Sequence, residues 1–437
     1  MGEMRIAYGS VVLAVVAMSG ACNTPELMSG PTEPSPTSSY QPPPPPAPTI
    51  MELVAESPLL APSQTSTLRW VVSPPNARIE LDPPGEPISP LKTTTLVSPA
   101  QTTTYTLTAS NESGTASKSV RVEVLPGVAT NLMVRSMICD AIHGTILATT
   151  DEKDATLPNR LAFVNATTGA IERSVEVGQK PGVVALSDDA TTAWVGIDKE
   201  RGFRKVDTAT LARGPLHTFP QLPPNNGGVY AASIVVLAGS TTSIAIARDG
   251  DLAVQFLPEG VAVYDDGVPR PVMQERGLYK PTYLARSAAA NELYGIGPYG
   301  RSQDLYVMSI AADGVRELEK KPDIVDRGAR TIELADGRLY LSTGNVLSTA
   351  GARLGTLLPG GGAGVVGSVA PHPPSQTVFA TGGGQVIAFD LEAFTPRASY
   401  RPSGGQFGGI VRCGPSVVTG VGGKALLFIP VSYFDKR

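Results

Sequence analysis

Side chains able to do acid–base or metal chemistry are scarce in this chain and widely spaced. Its three histidines are His143, His217 and His372. A metal centre or a general-base dyad needs two or more such groups converging. His143 and His372 fall in short turns and His217 in an outer strand, so they read as exposed structural residues. Arg248-Asp249-Gly250-Asp251 offers two carboxylates, where calcium takes about six to eight oxygens. Asp151-Glu152-Lys153-Asp154 reads as a solvated loop. Ser187-Asp188-Asp189-Ala190-Thr191 suits a tight hairpin in which an Asp caps its own backbone. Gly360–Gly362 and Gly382–Gly384 are followed by neither Lys-Ser/Thr nor a helix, so they are turns and not phosphate cradles. On this reading the chain has no assigned catalytic residue, metal ligand or cofactor site.

The elements that would position any site are short β runs. Gly and Pro supply 86 of 437 residues, long helical periodicities are absent, and turn residues punctuate the runs throughout, which indicates an all-β protein. Leu161–Gly169 recurs as Phe203–Leu211, an offset of 42 between Val164 and Val206, which is a propeller-blade period. The unit continues through Val263, Met308, Val346, Phe389 and Phe428. A second series, Leu147, Trp194, Ala245, Tyr294, Tyr340, Phe379 and Val418, marks the preceding strand of each unit. Both series count seven, so residues 127–437 are expected to form a seven-bladed β-propeller.

Residues 49–126 alternate apolar and polar positions in short runs such as Thr65–Val72 and Thr102–Ala109. They resemble bacterial immunoglobulin-like domains, which implies a small β-sandwich with Trp70 and Tyr105 in its core. Val175–Pro181, Leu186–Asp189 and Trp194-Val195 are similar to bacterial surface propellers of the Tyr-Val-Thr-Asn repeat and lactonase-like families. That resemblance implies fold and leaves activity open.

Met1–Arg5 is weakly basic, Ile6–Met18 is apolar, and Ser19-Gly20-Ala21 precede Cys22. The apolar stretch is shorter than the ~20 residues of a spanning helix. It resembles a bacterial lipoprotein signal, which implies removal of residues 1–21 and lipidation of Cys22. The alternative is an ordinary secretory cut at the same bond, giving a soluble secreted protein. Because Asn23 and not Asp follows the cysteine, the resemblance implies the outer membrane or cell surface. Residues 22–48, with Pro42–Pro46, form a Pro/Ser/Thr-rich tether that reaches ~80 Å when extended. The net charge of −4 shows no basic stripe, so nucleic acid is not an expected partner.

With Cys22 assigned to lipid, Cys139 and Cys413 remain as a candidate disulfide. They occupy matching places in blades one and seven, which become neighbours when the ring closes. Packed sheets lie ~10 Å apart, whereas a bridge needs Cα atoms within ~7 Å, so a bridge and two buried thiols both remain open.

The expected function is non-enzymatic: a surface binding, adhesion or scaffold protein, anchored in the membrane and presenting a propeller face to a protein or glycan. The alternative is an exported propeller enzyme of lactonase, glycosidase or lyase type. With strands lettered A to D outward, the A–B and C–D turns are short. The B–C and D–A connections are long, among them Thr149–Asn159, Pro220–Tyr230, Arg248–Gly260, Gly297–Gln303, Glu319–Arg330 and Pro359–Val366. They emerge on one rim, and such loops are where function gathers. Candidate ligand contacts there are Tyr230, Tyr299 and Arg301, then Arg248, Asp249 and Asp251, with Asp151, Asp154, Asn225 and Asn226 nearby.

Overall fold

The computed structural model describes residues 43–60, 65–85, 88, 92–124, 128–220, 228–250, 258–275, 277, 280–289, 291–297, 303–358, 366–401 and 407–435. The chain divides into Met1–Pro45 and Pro46–Arg437. The expected export signal, the expected lipidation site Cys22 and the expected tether as far as residue 42 lie outside the described residues.

Residues 49–124 make two sheets. Thr49–Ala55, Ser66–Ser73 and Thr94–Val97 form one; Leu59–Leu60, Gly114–Val124, Thr103–Asn111 and Arg78–Asp82 form the other, in that spatial order. Alternation builds the core between them: Tyr105, Leu107 and Ala109 are buried while the intervening threonines face outward. Trp70 from the first sheet packs with Tyr105 and Leu107 from the second. The outward hydroxyls pair across strands, Thr106 with Ser119 at 2.9 Å and Thr108 with Ser117 at 3.2 Å.

Seven four-stranded antiparallel sheets follow. Blade one is Val134–Asp140, Thr145–Thr150, Arg160–Asn165 and Ile171–Glu176; blade two is Pro181–Leu186, Thr192–Ile197, Gly202–Asp207 and His217–Thr218. Blade three is Val229–Val236, Ser243–Gly250, Gly260–Asp265 and Val268–Pro269. Blade four is Tyr283–Arg286, Glu292–Ile296, Gln303–Ala311 and Gly314–Val325; blade five is Ile332–Ala335, Arg338–Leu341, Asn345–Ser348 and Arg353–Thr356. Blade six is Val366–His372, Thr377–Gly382, Gln385–Asp390 and Pro396–Tyr400. Blade seven takes Phe407–Cys413, Ser416–Val421 and Ala425–Pro430 from the end of the chain and its outermost strand, Val128–Thr130, from far upstream. Each innermost strand packs on the next, and the last packs on the first, so the sheets close into a ring.

Local chemistry repeats with the blades. Asn165, Asp207 and Asp390 each end a third strand, and each Oδ1 accepts the N–H groups two and three residues on. Successive blades are stapled by inner-strand serines. Ser136 Oγ accepts from Val184 N at 3.3 Å, Ser233 Oγ from Leu284 N at 3.4 Å, and Ser368 Oγ from Ile410 N at 3.3 Å. Thr149, the cross-strand partner of Ser136, adds a 2.7 Å bond to the Gly182 carbonyl.

Closure uses both ends of the ring. Val128, Ala129 and Thr130 pair with Phe428, Leu427 and Leu426. The chain then crosses to blade one, burying Leu132. Asp154 holds this crossing: Oδ2 accepts from Met133 N at 2.7 Å, and Oδ1 from Thr156 N at 2.9 Å and Leu157 N at 2.8 Å. Cys139 and Cys413 are joined, with Cα atoms 5.4 Å apart. The ~10 Å spacing of packed sheets does not apply at this point, because the innermost strands converge on the ring axis.

Four expectations about connections need correction. Glu319–Val325 is no loop but the end of blade four's outermost strand, hydrogen-bonded to Gln303–Ala311. An outermost strand leaves much of itself in water, so a charged run containing Pro322 fits it. Arg248–Gly250 and Tyr230 likewise belong to paired strands, as do Thr149 and Thr150.

Candidate ligand-binding face

The inner strands all begin at one rim, where the B–C and D–A connections also emerge, so the side chains of that rim surround the mouth of the axial channel. Arg135, second residue of blade one's inner strand, bridges two blades there. Its Nη2 lies 2.6 Å from Asp198 Oδ2 in blade two, and its Nη1 3.4 Å from Asp151 Oδ2 in blade one. Asp198 Oδ1 is buried with no hydrogen-bond partner among the described residues. Burial pushes the Asp198 carboxyl above its ordinary pKa, with Arg135 and Lys180 pulling it back. Gly182 makes room for this carboxylate, since a Cβ there would collide with Oδ1.

A second group spans blades three to five. Tyr230 and Asp249 are cross-strand partners, and the Tyr230 hydroxyl donates to Asp249 Oδ2 at 3.3 Å. Asp249 is buried and also accepts from Gly250 N at 2.8 Å. Tyr283 opens blade four's inner strand; burial raises its pKa, Arg330 opposes the rise, and Asp249 adds to it. Tyr230, Asp249, Tyr283 and Arg330 thus share one electrostatic environment at the mouth.

Arg248 does not join them. It is buried and turned the other way, donating to the carbonyls of Glu259 at 2.7 Å and of Gly260 and Gln274 at 3.3 Å. It therefore staples its own blade and does not offer a ligand contact. Asp154 likewise serves the closing segment. Asp251, Tyr299, Arg301, Asn225 and Asn226 lie outside the described residues.

Deeper in the channel, cross-strand register places seven inner-strand residues on one layer: Ile138, Ala185, Val235, Ala285, Glu333, Ala370 and Val411. Six are apolar; the seventh is Glu333. Exposure at the middle of an innermost strand is exposure to the channel, and Glu333 is open there while walled in by protein. Burial alone pushes its carboxyl up to about 7. Reading the sequence missed this residue. Its signal is a charge where the partner of each second-series strand residue is otherwise apolar.

The histidines do not converge. His143 Nδ1 lies 2.7 Å from Asp140 Oδ2, and His372 Nδ1 2.8 Å from Ser375 Oγ. His217 stacks on Phe203 at 5.4 Å between ring centroids. Among the described residues no three His, Cys, Asp or Glu side chains could hold a metal ion. On the opposite rim Asp188 ties three blades, with Arg286 Nη1 at 2.6 Å and Gly239 N at 2.9 Å. Asp189 caps its own hairpin through Ser187 and Thr191. The sandwich carries a shallow open groove bordered by Glu80, Asp82, Thr106 and Thr108, and Arg78 already pairs with Glu80 at 2.6 Å.

No protein-family profile matches the sequence, and no curated protein does. Among solved structures, the β-propeller domain of Cps50 (Swd1) from Myceliophteria thermophila superposes with a TM-score of 0.53 at 10% identity, covering 70% of this chain and 98% of that one. The ring is a β-propeller. Kuenenia stuttgartiensis hydrazine synthase is also similar, with a TM-score of 0.51 at 13% identity over 69% of this chain and 97% of that one. At such identities the likeness concerns the propeller fold alone.

Proposed function

We propose that this protein is a lipid-anchored, non-enzymatic binding protein of the bacterial surface. In this reading Cys22 carries the lipid, residues 23–48 are the tether, and the sandwich is an immunoglobulin-like spacer. The propeller, of the Tyr-Val-Thr-Asn repeat or lactonase-like kind, presents the long-loop rim to a protein or glycan. The observation that carries the reading is the pair of groups on one rim, Arg135 with Asp198 across blades one and two, and Tyr230, Tyr283 and Arg330 around Asp249 across blades three to five. Aromatic and Arg side chains on a rigid scaffold are the usual anchors of recognition.

Two measurements test it. A fatty-acid analogue fed to the producing bacterium should label the wild-type protein and not Cys22→Ser; equal labelling removes the anchor. Glycan and peptide arrays probed with the purified protein should yield a ligand whose binding falls at least tenfold in Tyr230→Ala, Tyr283→Ala or Arg330→Ala at unchanged melting temperature. Binding that survives all three but is lost in Asp188→Ala would put the ligand on the other rim.

A further inference from the structure

The chain enters the propeller at its seventh blade. Three residues, 125–127, separate the last sandwich strand, Gly114–Val124, from Val128, the start of blade seven's outermost strand. Any tension carried by the N-terminal chain therefore reaches the ring first at a strand held by three paired residues and by the Thr130 hydroxyl on the Gly169 carbonyl. Such a strand yields early. Behind it comes the buried Leu132 and the Asp154 latch, and then Cys139, bonded to Cys413 with 274 residues between them in sequence. The bridge joins the innermost strands of the first and last blades, so residues 139–413 form one covalent loop that contains blades two to six complete, the three outer strands of blade one and the inner strand of the seventh.

We propose that this bridge makes the propeller a tension-bearing ring, in which tension applied between the two ends of the chain passes through Cys139 and Cys413 and bypasses the blades. Pulled between its ends, the chain can release only residues 128–138 and 414–437 from the propeller before the load rests on covalent bonds. A pull on any blade divides between two arms of the loop, one leading back to Cys139 and the other to Cys413. A partner held at the long-loop rim thus loads each arm with only a share of the tension. The device needs tension at the N-terminal side and does not depend on which molecule anchors it.

The test is a single-molecule pull on the mature chain with handles at its two ends. In the oxidised protein the propeller should release about 35 residues, ~120 Å of contour at ~3.5 Å per residue. After reduction with dithiothreitol, checked by counting free thiols, it should release about 310 residues, ~1,080 Å. Cys139→Ser with Cys413→Ser should match the reduced protein. Unfolding of the sandwich adds the same length in every case and serves as the internal control. An oxidised molecule that releases the full ring, or a reduced one that releases no more than the oxidised, overturns the proposal. Two free thiols in the exported protein would do the same. No ligand enters the measurement, so its outcome is separable from that of the binding face.

Discussion

Replacing Asp154 by alanine should loosen the closing segment while leaving every blade strand intact. The carboxylate accepts three backbone N–H groups, from Met133, Thr156 and Leu157, at 2.7, 2.9 and 2.8 Å. Thr156 is exposed and can turn to water, whereas Met133 and Leu157 are partly buried. Leaving a buried donor without an acceptor costs about 1–3 kcal/mol, so the two together give about 3 kcal/mol for Asp154→Ala. Asp154→Asn keeps one acceptor oxygen and should lose about half as much. The chain has two tryptophans, Trp70 in the sandwich and Trp194 in the propeller core, so in a Trp70→Phe background the fluorescence reports the ring alone. With a urea m-value of about 3 kcal/mol/M, the midpoint should fall by about 1 M. Burial works against the Asp154 charge, but the bonds from Leu157, Met133 and Thr156 outweigh it and hold the pKa below 3.8. The contribution is therefore complete above pH 3.8 and fades as pH falls through the lower folded value. The gap between wild type and Asp154→Asn should close in acid. A midpoint for Asp154→Ala within 0.15 M of wild type, about 0.5 kcal/mol, would refute the latch.

Two further perturbations follow. Gly267 has φ +85°, and a Cβ there would enter the ring of His217, so Gly267→Ala should cost about 2–3 kcal/mol, read as a lowered midpoint and loss of the His217–Phe203 stack by NMR. Burial and Lys205 hold the His217 pKa below 6.5, so its packing supports the fold fully above pH 6.5 and less as pH falls through the folded value. His217→Phe should flatten that acid-side decline, and an unchanged slope would exclude His217 as its source. Glu333 has the opposite sign: its carboxyl is raised from 4.5 to about 7, so its neutral form favours the folded ring at pH 4.5 and below, and this support is lost as pH rises through about 7. Glu333→Gln should match wild type near pH 4.5 and exceed it in stability at pH 8, as measured by paired urea titrations.

The residues that announce the fold are those buried on both faces of a blade. All seven members of the first series lie in third strands and all seven of the second in second strands, because these positions are apolar whichever neighbour they meet. Outermost strands carry no such signal. Val128–Thr130 is three residues long and finds its partner about 300 residues away, so nothing local marks it. The Gly314–Val325 strand is too charged to look like one. For the candidate face, the alternation of strand connections picks the rim, and Tyr230 and Asp249 do lie there. Arg248 misleads because Arg and Asp on consecutive strand positions point to opposite sides. Ser136, Ser233 and Ser368 each stand two residues before the channel layer, a spacing that only the cross-strand register reveals.

The strand borrowed by blade seven also sets the order in which the protein can be completed. Val128–Thr130 is among the first parts of the propeller to be synthesised, and its partner, Ala425–Pro430, is among the last. Until the C-terminal residues arrive, the first blade has no neighbour on one side and the growing array ends in an open sheet face. Partly made chains of this kind expose apolar surface and unpaired edges, which are the features that draw other chains in. Truncation by as little as the final blade would leave every other blade's sequence intact and still deny the molecule a finished state. Quality control of newly made chains can therefore read completeness from a single late event, the capture of the early strand by the last one.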